Sequence, residues 1–196
     1  MLQLLIKNIA QVTGKDLPSA EINRISQLFE ERSYNKGLLL AENGRFNDSI
    51  HFITQGSCYS YLPDQEGEKH VVQFALEGYW ISDLYSFFSG RNAIYNIETL
   101  EKTATLALSK ENFEKLCEGS QLFDRFFRLL IQNAYVALQY RLVKTSSDEA
   151  EARYKEFSKM HPAFVQRFPQ YLIASYLGIR PQSLSRIRKE IAQKKT

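Results

Sequence analysis

One glycine between two helical periods restricts residues 169–191 (PQYLIASYLGIRPQSLSRIRKEI) more tightly than any other stretch of the chain is restricted. Before it, Leu172, Ile173, Tyr176 and Leu177 recur three and four apart, which gives a short helix one apolar face. Ala174 is small where a second helix must cross closely. Gly178 supplies the left-handed backbone that a tight link between helices requires, and Ile179 plugs the turn. Pro181 suits the first position of the next helix, where its missing N–H costs nothing. Leu184, Ile187 and Ile191 then point inward again, so the segment predicts a helix-turn-helix. A polar and basic row, Gln182, Ser183, Ser185, Arg186 and Lys189, is left on the outside.

That row has the chemistry needed to read double-stranded DNA. Gln182 and Ser183, near the start of the second helix, can reach base edges in the major groove, and Arg186 can pair bidentately with guanine. Arg180, Arg188, Lys189, Lys194 and Lys195 can hold phosphates, which position a protein without specifying sequence. Charge is distributed accordingly. Of 25 basic and 22 acidic residues, the last 36 positions hold seven basic residues against Glu190 alone, a net of +6. The remaining 160 positions, with 18 basic and 21 acidic residues, carry −3. A weakly acidic body with a basic end is expected where that end meets a polyanion. A ligand-binding or protein-interaction module, whose helical hairpin never meets DNA, is the alternative that the residues leave open.

Other classes find little support. The 196 residues, 44% hydrophobic and 24% charged, allow one or two domains with a real core and argue against disorder. No run of eighteen apolar residues occurs, so no membrane span is expected. The amphipathic start lacks the apolar block and cleavage site of a secretory signal. Cys58 and Cys117 suit a reducing cytoplasm and cannot build a metal cluster by themselves. Cys58 could sense redox state only if partly exposed with a lowered pKa. His51, His70 and His161 are too dispersed for a metal motif, and no nucleophile, phosphate-loop or dinucleotide signature is present. No catalytic residue, metal ligand or cofactor is therefore assigned, and no enzyme is expected. Asp64, Glu66 and Glu68 read as a solvated hairpin tip.

Residues 2–12 and 19–31 predict two short helices, the second capped by Ser19. Between Tyr34 and Leu108 the period shortens. HFIT, CYSYL, HVVQFAL, YWI, YNIETL and ATLAL are strand-like stretches separated by turns at Gly56, residues 64–67, Gly78 and Gly90, a pattern of an antiparallel jelly roll. A short helix over residues 110–117 follows, then Ser120 as a cap. Residues 121–144 contain neither Gly nor Pro. Leu122, Phe126, Leu129, Asn133, Val136, Tyr140 and Val143 fall at 4-3 spacing, the seam of a coiled coil with one polar member. Phe123, Phe127, Leu130, Ala134 and Ala137 form a second stripe. One stripe can cover the chain's own roll while the seam, from Leu122 to Tyr140, meets a second copy; a single helix sunk in a monomer is the other reading. Residues 146–148 suggest a hinge and cap, residues 149–160 a charged helix stopped by Pro162. The expected domains are residues 1–146 and 147–196.

An N-terminal β-roll, a long helix at about residues 120–145 and a terminal helix-turn-helix resemble, over roughly residues 20–192, the cyclic-AMP receptor protein/Fnr (Crp/Fnr) family of bacterial transcription regulators. The resemblance is carried by Lys36-Gly37, by IHFITQG at residues 50–56, by GYWI at residues 78–81, and by residues 171–189. It implies an α+β fold: an antiparallel β-roll of the cyclic-nucleotide-binding kind, a long dimerisation helix and a helical DNA-binding domain. It implies a cytoplasmic homodimer on a near-palindromic DNA site, with RNA polymerase as a candidate partner. The family's nucleotide cassette places Gly-Glu at the ribose and Arg-Ser or Arg-Thr at the cyclic phosphate. Here Ser82-Asp83 and Ala93-Ile94 stand at those places, so the anchoring arginine is missing and cyclic AMP is not expected to bind. Tyr59, Tyr61, Phe74, Trp80, Asp83 and Tyr85 are the candidate lining of an effector pocket, for an apolar or aromatic molecule; plain aromatic core packing is the competing reading for the aromatics. Fnr-type iron–sulfur sensing needs four cysteines and is excluded. The family's usual β-hairpin wing would have only residues 193–196 to occupy, as in its shorter, wingless members.

Overall fold

The computed structural model describes residues 1–193, so Lys194 and Lys195 lie outside the described residues. Two helices, α1 (Leu2–Thr13) and α2 (Ser19–Leu28), precede eight strands. These are β1 (Glu30–Tyr34), β2 (Leu39–Ala41), β3 (Ser49–Gln55), β4 (Cys58–Pro63), β5 (Lys69–Ala75), β6 (Trp80–Ile81), β7 (Asn96–Thr99) and β8 (Thr103–Ser109), with the short helix α3 (Leu84–Ser89) between β6 and β7. They form two four-stranded antiparallel sheets, ordered β1-β8-β3-β6 and β2-β7-β4-β5. The strand-like stretches of the sequence thus become a jelly roll. At Gly56 the backbone takes φ 88°, and a Cβ there would meet the Lys102 carbonyl at 2.5 Å, so only glycine fits where β3 turns into β4.

Strand alternation sends neighbouring side chains to opposite faces. Ile53, Cys58, Ala75, Ile81 and Ile97 fill the space between the sheets. Ile50, Phe52, Leu106 and Leu108 face the other way and pack against α1, α2, and two helices that follow the roll, α4 (Lys110–Gly119) and α5 (Gln121–Ser147). Tyr59, Tyr61, Val71 and Phe74, on the outer face of the second sheet, pack against the C-terminal helices. Those are α6 (Ala150–Met160), α7 (Pro162–Arg167), α8 (Gln170–Leu177) and α9 (Pro181–Gln193).

Three expectations need correction. Ser19 is the first residue of α2 rather than its cap, Pro18 occupies the cap, and the helix stops at Leu28. Phe29 turns extended and residues 30–34 pair with β8 instead, because sheet pairing outweighs weak local helical spacing. Ser120 does cap α5, accepting from the Phe123 N–H at 3.0 Å, but Ser146 and Ser147 extend the helix and Asp148 closes its C-terminus. The seam is also divided. Phe126 is fully buried against Trp80 and Phe123 in the chain's own core, with Leu122 packed beside it, so Phe126 is closed to a second copy. Leu129 is half-buried, and Asn133, Val136, Tyr140 and Val143 are exposed. The seam therefore passes from buried to exposed between Phe126 and Asn133.

Candidate nucleic-acid interface

The helix-turn-helix is built as its pattern requires. At Gly178 φ is 64°, and the turn closes through Gly178 N–H to the Ser175 carbonyl (3.1 Å) and Ile179 N–H to the Ala174 carbonyl (2.9 Å). Leu172, Ile173, Ala174, Leu177, Ile179, Leu184 and Ile187 are buried. Pro181 opens α9 and the Arg180 carbonyl accepts its first helical bond from Leu184. Arg180, Gln182, Ser183, Ser185, Arg186 and Lys189 all lie exposed along the start and outer face of α9. No carboxylate is paired with Arg180, Arg186 or Lys189 among the described residues, so these cations face solvent uncompensated.

Sequence reasoning missed the residues that hold this head in place. Arg153 of α6 donates to the Leu177 carbonyl at 3.0 Å and the Gly178 carbonyl at 3.3 Å, bracing the turn from behind. Ser175 of α8 accepts from Val71 N–H at 2.9 Å and donates to the Lys69 carbonyl at 2.6 Å. Arg141 of α5 donates to the Val72 carbonyl at 2.7 Å. Together they pair three backbone groups on the free edge of β5. Arg167 bridges Glu77 and Glu101, from two turns of the roll, and these hydrogen bonds raise its pKa still further. Phe74 stands among Phe168 (4.3 Å between ring centroids), Tyr176 (5.1 Å) and Phe164 (5.7 Å). No local pattern announces these partners, whose counterparts lie from 24 residues away (Arg153 and Leu177) to 106 (Ser175 and Lys69).

The six residues proposed for an effector pocket do not converge. Tyr59, Tyr61 and Phe74 point out of the second sheet, toward the C-terminal helices. Tyr59 and Tyr61 stack at 5.4 Å and both donate to Glu98 at 3.0 Å, while Lys69 joins Glu98 at 2.6 Å. Burial of these tyrosines raises their pKa values; burial lowers that of Lys69, but its hydrogen bonds to Glu98 and Tyr59 leave it raised. Trp80 belongs to the first sheet's outer core, where its indole N–H donates to Asn8 at 3.0 Å. Tyr85 is exposed beside Arg91, and Asp83 is wholly buried. Tyr59, Tyr61, Phe74 and Trp80 lie on strands, whereas Asp83 caps α3 and Tyr85 lies within it; a ring's preference for burial does not say on which side of a sheet it is buried.

Between the sheets, His51 meets Thr105 through Nδ1 at 3.3 Å, its Nε2 has no partner, and burial pushes the imidazole down to about 3. Burial also raises the Cys58 thiol far above its ordinary range. Cys117 is pushed up to about 11, by burial first and then by Asp124 and Glu114. Neither thiol is poised as a thiolate. Among the described residues no cluster of three or more His, Cys, Asp or Glu side chains could hold a metal, and no helix is long and apolar enough to cross a membrane.

A jelly roll covered by helices is followed by a long helix and a docked helix-turn-helix. Residues 31–120 match the cyclic nucleotide-binding domain family. Across the chain, the fold is that of FixK2 from Bradyrhizobium japonicum, at TM-score 0.71 and 16% identity, covering 85% of each chain. It is also that of CLP, a c-di-GMP responsive global regulator from Xanthomonas campestris (TM-score 0.65, 13% identity, 90% of this chain and 93% of that one). The catabolite activator protein of Thermus thermophilus aligns over 93% of this chain and 87% of its own, with TM-score 0.57 and 16% identity. No curated protein sequence matches the chain significantly. The expected cyclic-nucleotide-binding-like roll is thus matched by a family model, and the expected order of roll, long helix and terminal helices by the folds of these solved structures.

Proposed function

We propose that the chain is a DNA-binding transcription regulator of the Crp/Fnr type, with residues 1–146 as sensor and residues 147–196 as the reading domain. One observation carries the reading: Arg180, Gln182, Ser183, Ser185, Arg186 and Lys189 are exposed together while Leu184 and Ile187 anchor the same helix from beneath. The protein acts in the cytoplasm as a homodimer on a near-palindromic site, and it is not an enzyme. Tyr135, Val136, Leu138, Tyr140, Leu142 and Val143 support the dimer, since one half of α5 exposes this many large apolar side chains. RNA polymerase is the natural further partner of such a regulator, and its structural relatives include the global regulator CLP.

Binding should fall steeply with salt in a mobility-shift titration, because phosphate contacts release counterions. Arg186→Ala should cost about 1–3 kcal/mol on a selected site and little on random DNA. A flat salt response refutes the reading; equal losses on both DNAs reduce Arg186 to a phosphate contact. Cyclic AMP should give no isotherm at micromolar concentration with the wild-type protein, and a calorimetric signal there refutes the nucleotide-free sensor.

A further inference from the structure

Asp83 has no role in the reading so far, yet it is one of the least exposed charged groups in the molecule, with a relative accessibility of 0%. Its Oδ2 accepts the backbone N–H groups of Ile94 at 2.7 Å and Tyr95 at 2.8 Å. Its Oδ1 accepts the Ser86 N–H at 2.8 Å. No lysine or arginine among the described residues pairs with it; Arg91, the nearest in sequence, turns outward to Tyr85. A buried carboxylate held only by neutral backbone donors is an anion in an anion hole. Two consecutive N–H groups aimed at one oxygen, lying outside any helix, are the decisive donors.

Their place in the chain gives the arrangement meaning. Ile94 belongs to the pair that stands where the resemblance expects the contact to a cyclic phosphate, and Asp83 stands where it expects the contact to ribose. The carboxylate spans both places and closes residues 83–95 into a loop. Ser86 pins the same loop from inside, accepting from Asn47 N–H at 2.9 Å and donating to the Arg91 carbonyl at 2.6 Å.

We infer that the anion site of this sensor loop is occupied by the chain's own Asp83 carboxylate, so that the loop is ordered without an external anion. The inference rests on the nucleotide-free reading of the sensor and supplies its cause. A phosphate approaching Ile94 and Tyr95 would meet donors already taken and a fixed negative charge. Removing that carboxylate should leave a site for a small free anion of the same chemistry, acetate or formate.

Chemical rescue tests this. In full-length Asp83→Gly the amides of Ile94 and Tyr95 should exchange with deuterium about tenfold or more faster than in wild type, the scale of losing hydrogen bonds to a charged group. Acetate should restore protection and melting temperature along a saturable curve, chloride at equal ionic strength should not, and the wild type should respond to neither. A folded variant indifferent to acetate and formate overturns the inference, as does a wild type that gains as much from acetate as the variant. Should Asp83→Gly fail to fold, Asp83→Asn preserves the shape and removes the charge; unchanged exchange at Ile94 and Tyr95 there also overturns it. Cyclic AMP binding to the wild type would refute the sensor reading itself, whereas absent rescue refutes only the role of Asp83.

Discussion

The two sheets of the roll are covered on their outer faces by different materials. The first sheet offers Ile50, Phe52, Leu106 and Leu108, and it meets Leu5, Ile9, Ile25, Phe123 and Phe126, all but wholly buried hydrocarbon. The second sheet offers Phe74 and Val71 but also the Tyr59–Tyr61–Glu98–Lys69 network, and its cover is held by the ion pairs of Arg167 and the hydrogen bonds of Ser175. A hydrocarbon face has no good state other than burial. A face with charged and hydroxyl groups can be wetted at lower cost. The first cover is part of the roll's foundation. The second combines apolar packing with ion pairs and hydrogen bonds, as interfaces between domains do.

The largest effect should come from the foundation. Phe126→Ala is expected to lower unfolding free energy by about 3–5 kcal/mol, read from denaturant titrations of wild type and variant at matched protein concentration. If the variant changed self-association and left stability intact, Phe126 would belong to an interface between copies after all. Phe74→Ala, on the other cover, should cost about 2–4 kcal/mol, but unevenly. Hydrogen exchange in α8 should accelerate well before that in β3 and β8. Uniform acceleration throughout the chain would erase the distinction between the two covers.

The space between the sheets provides the most specific test and, over the interval from pH 7 to pH 5, the smallest, about 2 kcal/mol. His51 titrates at about 3 in the fold and near 6.5 when unfolded. Between those values the unfolded chain binds a proton that the folded chain refuses, so stability is complete above 6.5 and falls as pH drops. The slope should approach about 1.4 kcal/mol per pH unit for this group, ending near its folded value. Denaturant titrations of wild type and His51→Gln at pH 7 and pH 5 measure the difference; equal slopes would mean that His51 is hydrated or paired in solution.

How much of this could be read from residue order follows from how far each determinant reaches. The strands, the Gly178 turn and the buried Leu184 and Ile187 were legible because period and turn chemistry act over fewer than ten residues. The exposed row from Arg180 to Lys189 followed from the same period. The effector lining was not legible. Whether Tyr59 and Phe74 face the inside of the roll or the C-terminal helices depends on which sheet β4 and β5 join, a matter of distant pairing. The 4-3 seam of α5 was real as a pattern, yet where it passes from buried to exposed, between Phe126 and Asn133, depends on which distant segments pack against it. Asp83 looked like a lost ligand contact because its partners, Ile94 and Tyr95, offer backbone groups that no side-chain motif displays.

Strand β5 is the outermost member of its sheet, and Ser175 and Arg141 cover the polar groups along its rim. Any movement that lifts the head from the roll would uncover a ready template for another strand. The docked head is thus also a guard against fibril-like stacking of one chain on the next. A variant in which the head detaches too freely should precipitate before it unfolds, so solubility alone bounds how loosely that head can be held.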